Sequence, residues 1–523
     1  MSNKVLAKNI SIMSIAVSLS RVLGLVRDQV MGFFFGASYL NDAFQIAINI
    51  PNLLRRLFGE GALSAAFVPI YNQVGLQKGR EQQIKFALNM LSLLTFFLTL
   101  LTIIGMTFAP TIVRLISPGL PEKTALLTVK LTRLVFPYLF FIGLSSTMIS
   151  ILNSHNKFFM TGLSSGLYNL GIIACITIPS LIFAFDAETL IFYAGYGVLL
   201  GGLLQTIINF PFLKQVGYNF RIYINLHSDN LKILGRRFIP GVIGIGVRQI
   251  NLLADIYFAS FLPLGSITCL RYGARLMQMP LGIFGVSTST AVLPLFSKLI
   301  AEENWQELSE RIRFTTISLI YLLIPITFFV AGAGLDMIKI LFQRGSFDLL
   351  ASQLTFESFL FYSFGLIFFA LNQTITPLFF AAGDTKTPVI ITSIMVAVNI
   401  ILNIILIYFL KHIGIALATS LTGLIQLVIL ILVISKRLDK IKIRSISKNI
   451  AKITALSLII YGLNSLVNYS IIGSDLFFYG LRISLNGLIF LLVLSFGSYL
   501  LKLEYAEIIW QKLKLNRILK KKL

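Results

Sequence analysis

The sequence predicts an all-α polytopic membrane protein of fourteen transmembrane helices, built as two six-helix lobes followed by an appended helix pair. Three observations predict it. Apolar runs long enough to span a bilayer recur from end to end, basic residues collect in every second gap between them, and the first part of the chain is echoed in the second. Of 523 residues, 56% are apolar and only 12% charged, which leaves too little polar surface to cover a water-soluble globule. A helix needs about 20 apolar residues to cross the hydrocarbon core, and runs of that order fill the chain.

The runs lie at residues 9–36, 40–74, 86–117, 129–153, 158–184, 189–213, 233–261, 266–297, 314–340, 351–381, 387–410, 413–435, 450–468 and 477–501. Lys78, Arg80 and Lys85 follow the second run, Lys157 the fourth, and Lys214, Arg221, Lys232, Arg236 and Arg237 the sixth. Lys298, Arg311 and Arg313 follow the eighth, Lys386 the tenth, and Lys436, Arg437, Lys440, Lys442 and Arg444 the twelfth. The intervening gaps near Tyr39, Asp186, Pro263 and Ser474 carry none, with Lys123, Lys339, Arg344 and Lys411 as exceptions on that side. The positive-inside rule then places both termini in the cytoplasm, and an even helix number agrees, since it puts both termini on one side. The first run carries no small-residue cleavage site and is expected to stay as a helix. The tail LKLEYAEIIWQKLKLNRILKKKL has apolar residues at helical spacing, one Trp and a basic end, the pattern of an interfacial amphipathic helix drawn to anionic lipid.

Duplication is visible at nearly constant offset. Ala66-Phe67-Val68-Pro69-Ile70-Tyr71 is echoed by Ala291-Val292-Leu293-Pro294-Leu295-Phe296, an offset of 225. Lys157 answers to Lys386, Tyr168-Asn169-Leu170 to Val398-Asn399-Ile400, and Gly202-Leu203-Leu204-Gln205 to Gly423-Leu424-Ile425-Gln426. Both copies start on one side of the membrane, so the repeats are parallel, with their axis along the membrane normal. The expected division is residues 1–231 for helices 1 to 6, 232–440 for helices 7 to 12, and 441–523 for helices 13 and 14 with the basic tail.

Composition excludes several functions. The net charge of +23 is spread between apolar runs rather than gathered into a patch with interleaved aromatics, which argues against nucleic acid. Cys175 and Cys269 make no disulfide framework, and His155, His227 and His412 make no metal-ligand spacing. There is no phosphate-cradling glycine loop with Lys-Ser/Thr, no H-E-x-x-H and no nucleophile elbow, so neither ATP-driven pumping nor hydrolysis is supported and no catalytic residue is assigned.

The informative residues are charges in apolar surroundings. Residues 20–69 contain Arg21, Arg27, Asp28, Asp42, Arg55, Arg56 and Glu60. An arginine at the bilayer centre costs about 2.5 to 3.5 kcal/mol on insertion scales, so charges this dense point to a polar cavity between helices. Arg21 and Asp28, seven apart, nearly share a helix face with Gly24, and Arg27 points about a third of a turn away. Pro51, Gly59 and Gly61 are expected bending points in helix 2, as are Gly24 in helix 1 and Pro280 in helix 8. Arg248 and Asp255 repeat the seven-residue spacing on helix 7, and Arg271 and Arg275 follow on helix 8. Seven arginines (21, 27, 55, 56, 248, 271, 275) face four carboxylates (28, 42, 60, 255), so internal pairing leaves cationic excess. Guanidinium forks bind phosphate oxygens through paired hydrogen bonds, and a low dielectric strengthens them, so the expected ligand is anionic and phosphate-bearing.

Four segments carry a resemblance: SRVLGLVRD, NDAFQIAINIPNLLRRLFGEGALSAAFVPIY, RYGARLMQMPLGIFGVSTSTAVLPLFSK and AAGDTKTP. The chain resembles the MurJ (MviN) family of lipid II flippases, of the multidrug/oligosaccharidyl-lipid/polysaccharide exporter superfamily, over essentially its whole length. The resemblance implies two six-helix lobes forming a V, a lateral groove for the lipid tail made by helices 13 and 14, and residence in the bacterial cytoplasmic membrane. It implies lipid II, the undecaprenyl-pyrophosphate-linked disaccharide-pentapeptide precursor of peptidoglycan, as substrate, membrane lipids as surroundings and cell-wall synthases as partners. It places functional residues at Arg21, Arg27, Arg55 and Arg275, with Asp42 and Glu60 also matching; Arg56, Arg248 and Arg271 extend the set. Ala274 and Gln278 depart from the family pattern, where Asp and Glu are expected. Through helices 7 and 11 it further implies a sodium site at Asp255 and Asp384, with sodium or the membrane potential as energy source and no other cofactor. Asp384 also reads as a solvated loop residue beside Lys386. Two other transport readings stand beside this one: flipping of another lipid-linked oligosaccharide, and drug/cation antiport, which asks for an acidic rather than a cationic cavity. A non-transporting scaffold for the synthases is the reading from another class.

Overall fold

The computed structural model describes residues 3–56, 62–157, 159–219, 221–438, 446–473, 475–501 and 503. Regular structure among the described residues is entirely helical. In order it comprises α1 (Asn3–Phe35), α2 (Tyr39–Arg55), α3 (Ala62–Thr107), α4 (Ala109–Ile116), α5 (Glu122–Val135), α6 (Tyr138–Ser154), α7 (Phe159–Ile182), α8 (Ala187–Ile207) and α9 (Asn209–Gln215). It continues with α10 (Asp229–Ala259), α11 (Ser266–Pro280), a π-helical turn (Leu281–Val286), α12 (Ser287–Ala301), α13 (Trp305–Phe342), α14 (Leu349–Phe364), α15 (Leu366–Ala381), α16 (Lys386–Arg437), α17 (Ser447–Ser470) and α18 (Leu476–Leu500).

Ten helical stretches among the described residues are long and apolar enough to cross a membrane. The two longest helices are each a pair joined at a left-handed residue, Gly79 (φ 81) in α3 and Lys411 (φ 51) in α16. Gly79 has no Cβ to clash in that conformation, whereas a lysine there is strained. Pro280 marks the bend expected in helix 8. Its ring displaces a backbone hydrogen bond, and the chain answers with the π-helical turn. Pro51 lies inside α2 without interrupting it. Gly59 and Gly61 lie outside the described residues, as does the tail beyond Leu503.

The chain forms two compact units, Met1–Thr268 with Gly345–Phe347, and Cys269–Arg344 with Asp348–Leu523. In the first, α7 and α8 meet backbone to backbone: a Cβ on Gly171 would stand 2.7 Å from the Gly197 carbonyl oxygen, and one on Gly201 2.8 Å from the Tyr168 Cα. Small residues four apart permit that approach where no hydrophobic force drives helices together. In the second, Gly273 packs α11 on α14, since a Cβ there would come 2.7 Å from the Phe359 nitrogen. The echoed glutamines make equivalent bonds in their own units: Gln205 Nε2 donates to the Ser164 carbonyl at 2.7 Å, and Gln426 Nε2 to Thr392 Oγ1 at 3.2 Å.

The C-terminal pair is fastened to α13 by a buried polar seam. Asn468 Nδ2 donates to the Gly332 carbonyl at 2.6 Å and Asn486 Nδ2 to Asn468 Oδ1 at 3.0 Å. Arg482 Nη2 donates to Asp336 Oδ1 at 3.0 Å, and its Nε lies 2.8 Å from Oδ2. Around Ile320, Ile453, Leu456 and Leu494 the same helices form an apolar cluster.

Candidate functional site

Helix α1 carries the first part of the site. Arg27 donates from Nη2 and Nε to Asp28 Oδ1, at 2.7 and 3.1 Å, and from Nη1 to Asn169 Oδ1 on α7 at 3.2 Å. The Tyr168 ring lies under the same guanidinium, 5.7 Å away. Asn169 is itself held, its Nδ2 donating to the carbonyls of Ser20 and Ser165. The glycine contact between α7 and α8 therefore sets Tyr168 and Asn169, and these with Asp28 set Arg27. Asp28 is buried and Arg27 nearly so, whereas Arg21, almost two turns earlier, is exposed. A guanidinium held on three sides by neutral and anionic groups is a preorganised cation, ordered before any ligand arrives.

Helix α2 carries the second part. Asp42 is fully buried and accepts three hydrogen bonds, from Gly265 N at 2.6 Å, Thr268 N at 2.8 Å and Thr268 Oγ1 at 2.7 Å. These donors belong to the start of α11, whose first turn offers backbone N–H groups with no partner of their own. Gly265 (φ 92) permits the approach, because a Cβ there would stand 2.3 Å from the Ala37 carbonyl oxygen. Asp42 is thus satisfied by neutral donors. Farther along, Arg55 Nε donates to Asn52 Oδ1 at 3.2 Å, and Arg56 Nη1 to Gln249 Oε1 on α10 at 3.1 Å. Gln249 follows Arg248, so the end of α2 and the middle of α10 are brought together; the Arg248 side chain lies outside the described residues, as does Glu60. Asp255, two turns along α10 from Arg248, is half-buried.

In the second unit Arg271 and Arg275 are half-buried on α11, one turn apart and on one face. Gly273 between them is about 200° round the helix from each, and since it packs on α14, the arginine face is turned away from that helix. Asp384 accepts from the backbone nitrogens of Lys386 and Thr387, at 3.1 and 3.0 Å, and so caps the start of α16.

Several residues that matter here carry little signal of a site in the sequence. Asn169 and Gln249 are uncharged amides in apolar runs, and Asn169 is otherwise marked only by the repeat. Arg482 and Asp336 carry a stronger signal, since a lone arginine within apolar residues demands a partner. A third group lies where the break in α3 at Gly79 meets the α6–α7 and α9–α10 connections. Tyr71 Oη lies 2.8 Å from His155 Nε2 and is hydrogen-bonded to Tyr218 Oη. Arg80 Nη1 donates to His155 Nε2 at 2.9 Å and to Gln83 Oε1 at 2.7 Å, and it stands 5.6 Å from the Tyr218 ring. Burial first, then the Arg80 charge, holds the His155 imidazole below its ordinary value of 6.5.

A family model described as "Lipid II flippase MurJ" matches residues 31–480. A protein of Buchnera aphidicola subsp. Baizongia pistaciae (strain Bp) named "Probable lipid II flippase MurJ" is 34% identical over 428 residues, 81% of this chain and 82% of its own. One of the same name from Rickettsia prowazekii (strain Madrid E) is 34% identical over 415 residues, 79% of this chain and 80% of its own. Among solved structures, "Lipid II flippase MurJ, inward closed conformation" superposes with a TM-score of 0.76 at 30% identity, covering 93% of this chain and 98% of that one. An inward-facing multidrug resistance MATE family transporter gives 0.68 at 14% identity, covering 82% and 98%, which is a likeness of fold alone.

Proposed function

The chain belongs to the MurJ family of lipid II flippases, and from that premise we propose how its residues move the substrate. It is a multi-pass protein of the bacterial inner membrane that carries lipid II to the outer leaflet for peptidoglycan synthesis. Drug/cation antiport is not favoured, since the MATE likeness extends only to the fold, and nothing favours a different lipid-linked oligosaccharide.

In the proposed mechanism the chain crosses the membrane fourteen times with both termini in the cytoplasm. Arg21, Arg27, Arg55 and Arg275, with Arg56, Arg248 and Arg271, receive the pyrophosphate. The observation that carries this assignment is the way the carboxylates are used. Asp28 is engaged by its neighbour Arg27, and Asp42 by the neutral donors of Gly265 and Thr268. Since Asp42 takes no arginine, it occupies none of the guanidinium forks that a ligand would use. A pyrophosphate supplies the missing negative charge and accepts paired hydrogen bonds from guanidinium forks. The undecaprenyl tail stays in lipid along a groove formed by α17 and α18. Asp42 acts as a gate: while it holds Gly265 and Thr268 the outer end of the site is shut, and release of those bonds, with Glu60 reset in helix 2, opens it.

Moving a cationic site toward an inside-negative face is worth about 2.3 kcal/mol per charge per 100 mV, so the membrane potential resets the empty carrier. Sodium binding at the half-buried Asp255 is the second proposed coupling, carboxylate oxygens being the hard donors such a cation takes, whereas the Asp384 carboxylate is engaged in capping α16. Delivery to cell-wall synthases on the outer side completes the scheme.

The test is replacement of the lipid II flippase of a depletable bacterial strain by this chain and by its Arg21→Ala, Arg27→Ala, Arg55→Ala and Arg275→Ala variants. Growth with the wild type and lysis with the variants is expected, at equal membrane levels. Growth with all four variants sinks the site and favours the scaffold reading. Flipping by purified protein that is unchanged after the potential is dissipated, and after potassium replaces sodium, removes both couplings.

A further inference from the structure

Between α9 and α10 the chain has no helix, and its residues alternate in type. Arg221, Tyr223 and Asn225 interleave with Ile222, Ile224 and Leu226, which are 89%, 56% and 67% exposed. The segment is clipped to one face of α3. Ser92 Oγ accepts from Tyr223 N at 3.0 Å, Asn89 Oδ1 accepts from Asn225 N at 2.7 Å, and Asn89 Nδ2 donates to the Asn225 carbonyl at 2.9 Å. Bonds to residues 223 and 225 on one edge are what a strand makes with its neighbour, with side chains of α3 standing in for that neighbour. Tyr218 pins the near end beside Arg80, and Asn225 Oδ1 accepts from His227 N to turn the far end.

The position of the clip along α3 says what the apolar face meets. Before it come the exposed Arg80, Glu81 and Gln82 and then Lys85, paired to Glu81 at 2.7 Å, a stretch that belongs in water. Beyond it Phe96, Phe97, Leu100, Ile103 and Ile104 are exposed on a helix with the length and composition of a membrane span. Asn89 is one turn past Lys85 and about 10 Å short of Phe96, so the boundary between water and acyl chains passes through the strap. Tyr223 is only 36% exposed, so the odd-numbered face stays nearer the protein. The even-numbered face, Ile222, Ile224 and Leu226, is turned the other way. Around it Lys214, Arg221, Lys232, Arg236 and Arg237 are exposed, five basic residues against the single acid Asp229 between positions 214 and 237.

We propose that residues 221–226 are an interfacial strap: Ile222, Ile224 and Leu226 enter the acyl boundary of the adjoining leaflet, and the surrounding basic residues bind the headgroups of anionic phospholipids. Apolar insertion and attraction to anionic lipid reinforce each other in such segments, as in amphipathic helices that lie on membranes. The strap links the sixth and seventh membrane runs, so its seating in lipid fixes the connection between the two halves of the duplicated chain. The inference rests on the membrane-spanning reading, but not on which ligand the cationic site takes.

Single cysteines at 221 to 226, in the full chain carrying Cys175→Ala and Cys269→Ala, are labelled with bimane and reconstituted in phosphatidylcholine vesicles containing headgroup-proximal doxyl lipid. Quenching at 222, 224 and 226 is expected to exceed that at 221, 223 and 225 by about twofold or more. Adding phosphatidylglycerol should raise quenching at 224, and the combined Arg221→Gln, Arg236→Gln and Arg237→Gln variant should abolish that rise. Equal quenching at all six positions, or quenching of the even positions by aqueous iodide rather than by lipid, overturns the strap and points to a soluble partner. A rise that survives the triple replacement overturns the headgroup assignment. None of the labelled positions belongs to the cationic site, so loss of lipid II flipping and loss of this alternation are separate failures.

Discussion

Replacing Asp336 with alanine should destabilise the protein more than removing Asp336 and Arg482 together. The two side chains are 6% and 8% exposed, so each charge has given up almost all of its solvation. Removing one partner of a buried pair costs about 3 to 5 kcal/mol, because the survivor stays buried and unneutralised, whereas an apolar replacement of both is close to neutral. Arg482 keeps some support without Asp336: Nη1 donates to the Ile471 carbonyl at 3.0 Å, and the guanidinium lies 5.0 Å from the Tyr479 ring. Lys339, however, lies 4.8 Å from the same ring, so without Asp336 two cations are left beside one aromatic ring with no carboxylate between them to offset either charge. These opposing effects place Asp336→Ala near 3 kcal/mol, about two orders of magnitude in the unfolding equilibrium. Arg482→Ala leaves Asp336 with Lys339 three residues away and should cost less. The Asp336→Leu/Arg482→Met variant should lie within about 1 kcal/mol of wild type. Unfolding of the purified protein in mild detergent, followed through its helical signal, measures all four. A double variant destabilised as much as Asp336→Ala refutes the pair as the element fastening α18 to α13. Since that seam holds the proposed tail groove, flipping should fall with Asp336→Ala and return in the double variant.

The other expectations concern the site and its supports. Arg27→Ala should abolish complementation and also lower stability, because Asp28 is left buried; Arg27→Ala/Asp28→Ala should regain the stability in detergent melts but not the growth. Arg275→Lys keeps the charge but loses the planar fork, and flipping should drop about tenfold while membrane levels hold. Asp42→Ala strands the Gly265 and Thr268 donors at about 1 to 3 kcal/mol each, so cysteines near the outer end of α2 should become more accessible to aqueous reagents, whereas Asp42→Asn, which keeps one acceptor, should change less. His155 is held below 6.5 in the folded state by burial and by Arg80, so the unfolded chain binds its proton first as pH falls. Its contribution is complete above 6.5 and is lost below it, giving a stability that declines with acidity and a decline that His155→Gln should flatten.

The fold was legible because each physical requirement for a membrane helix leaves its own mark. Length and apolarity gave the runs, and the charge of the gaps gave their ends; the break at Lys411, for example, lies where two apolar runs part. Breaks inside runs were less visible. The division of helix 10 at Gly365 and of helix 4 at Phe136 follows from packing and from Pro137 rather than from any change in hydropathy. Pro280 was legible as a bend, but the π-helical turn that absorbs it was not, since its hydrogen bonds depend on what α12 packs against.

Much less of the site could be read, because a charge in an apolar run announces that it needs a partner without saying which. Helical spacing puts Asp28 on the face of Arg21 and turns Arg27 aside, yet the pair forms between neighbours. The long Arg27 side chain curls back to Asp28 because Asn169 and Tyr168 receive its other edge, and both lie some 140 residues away in sequence. Asp42 shows the same limit from the other direction. Its charge alone invites an arginine, and only the fold brings Gly265 and Thr268 to it. That substitution of neutral donors for a cation changes which groups are occupied, not the net charge. An aspartate held by arginine would occupy a guanidinium fork, whereas one held by amides and a hydroxyl occupies none and can let go of its donors without creating an unpaired cation. The proposed gate, closed in this way, can open without unpairing any of the arginines proposed to bind the pyrophosphate, which would let binding and release be set independently.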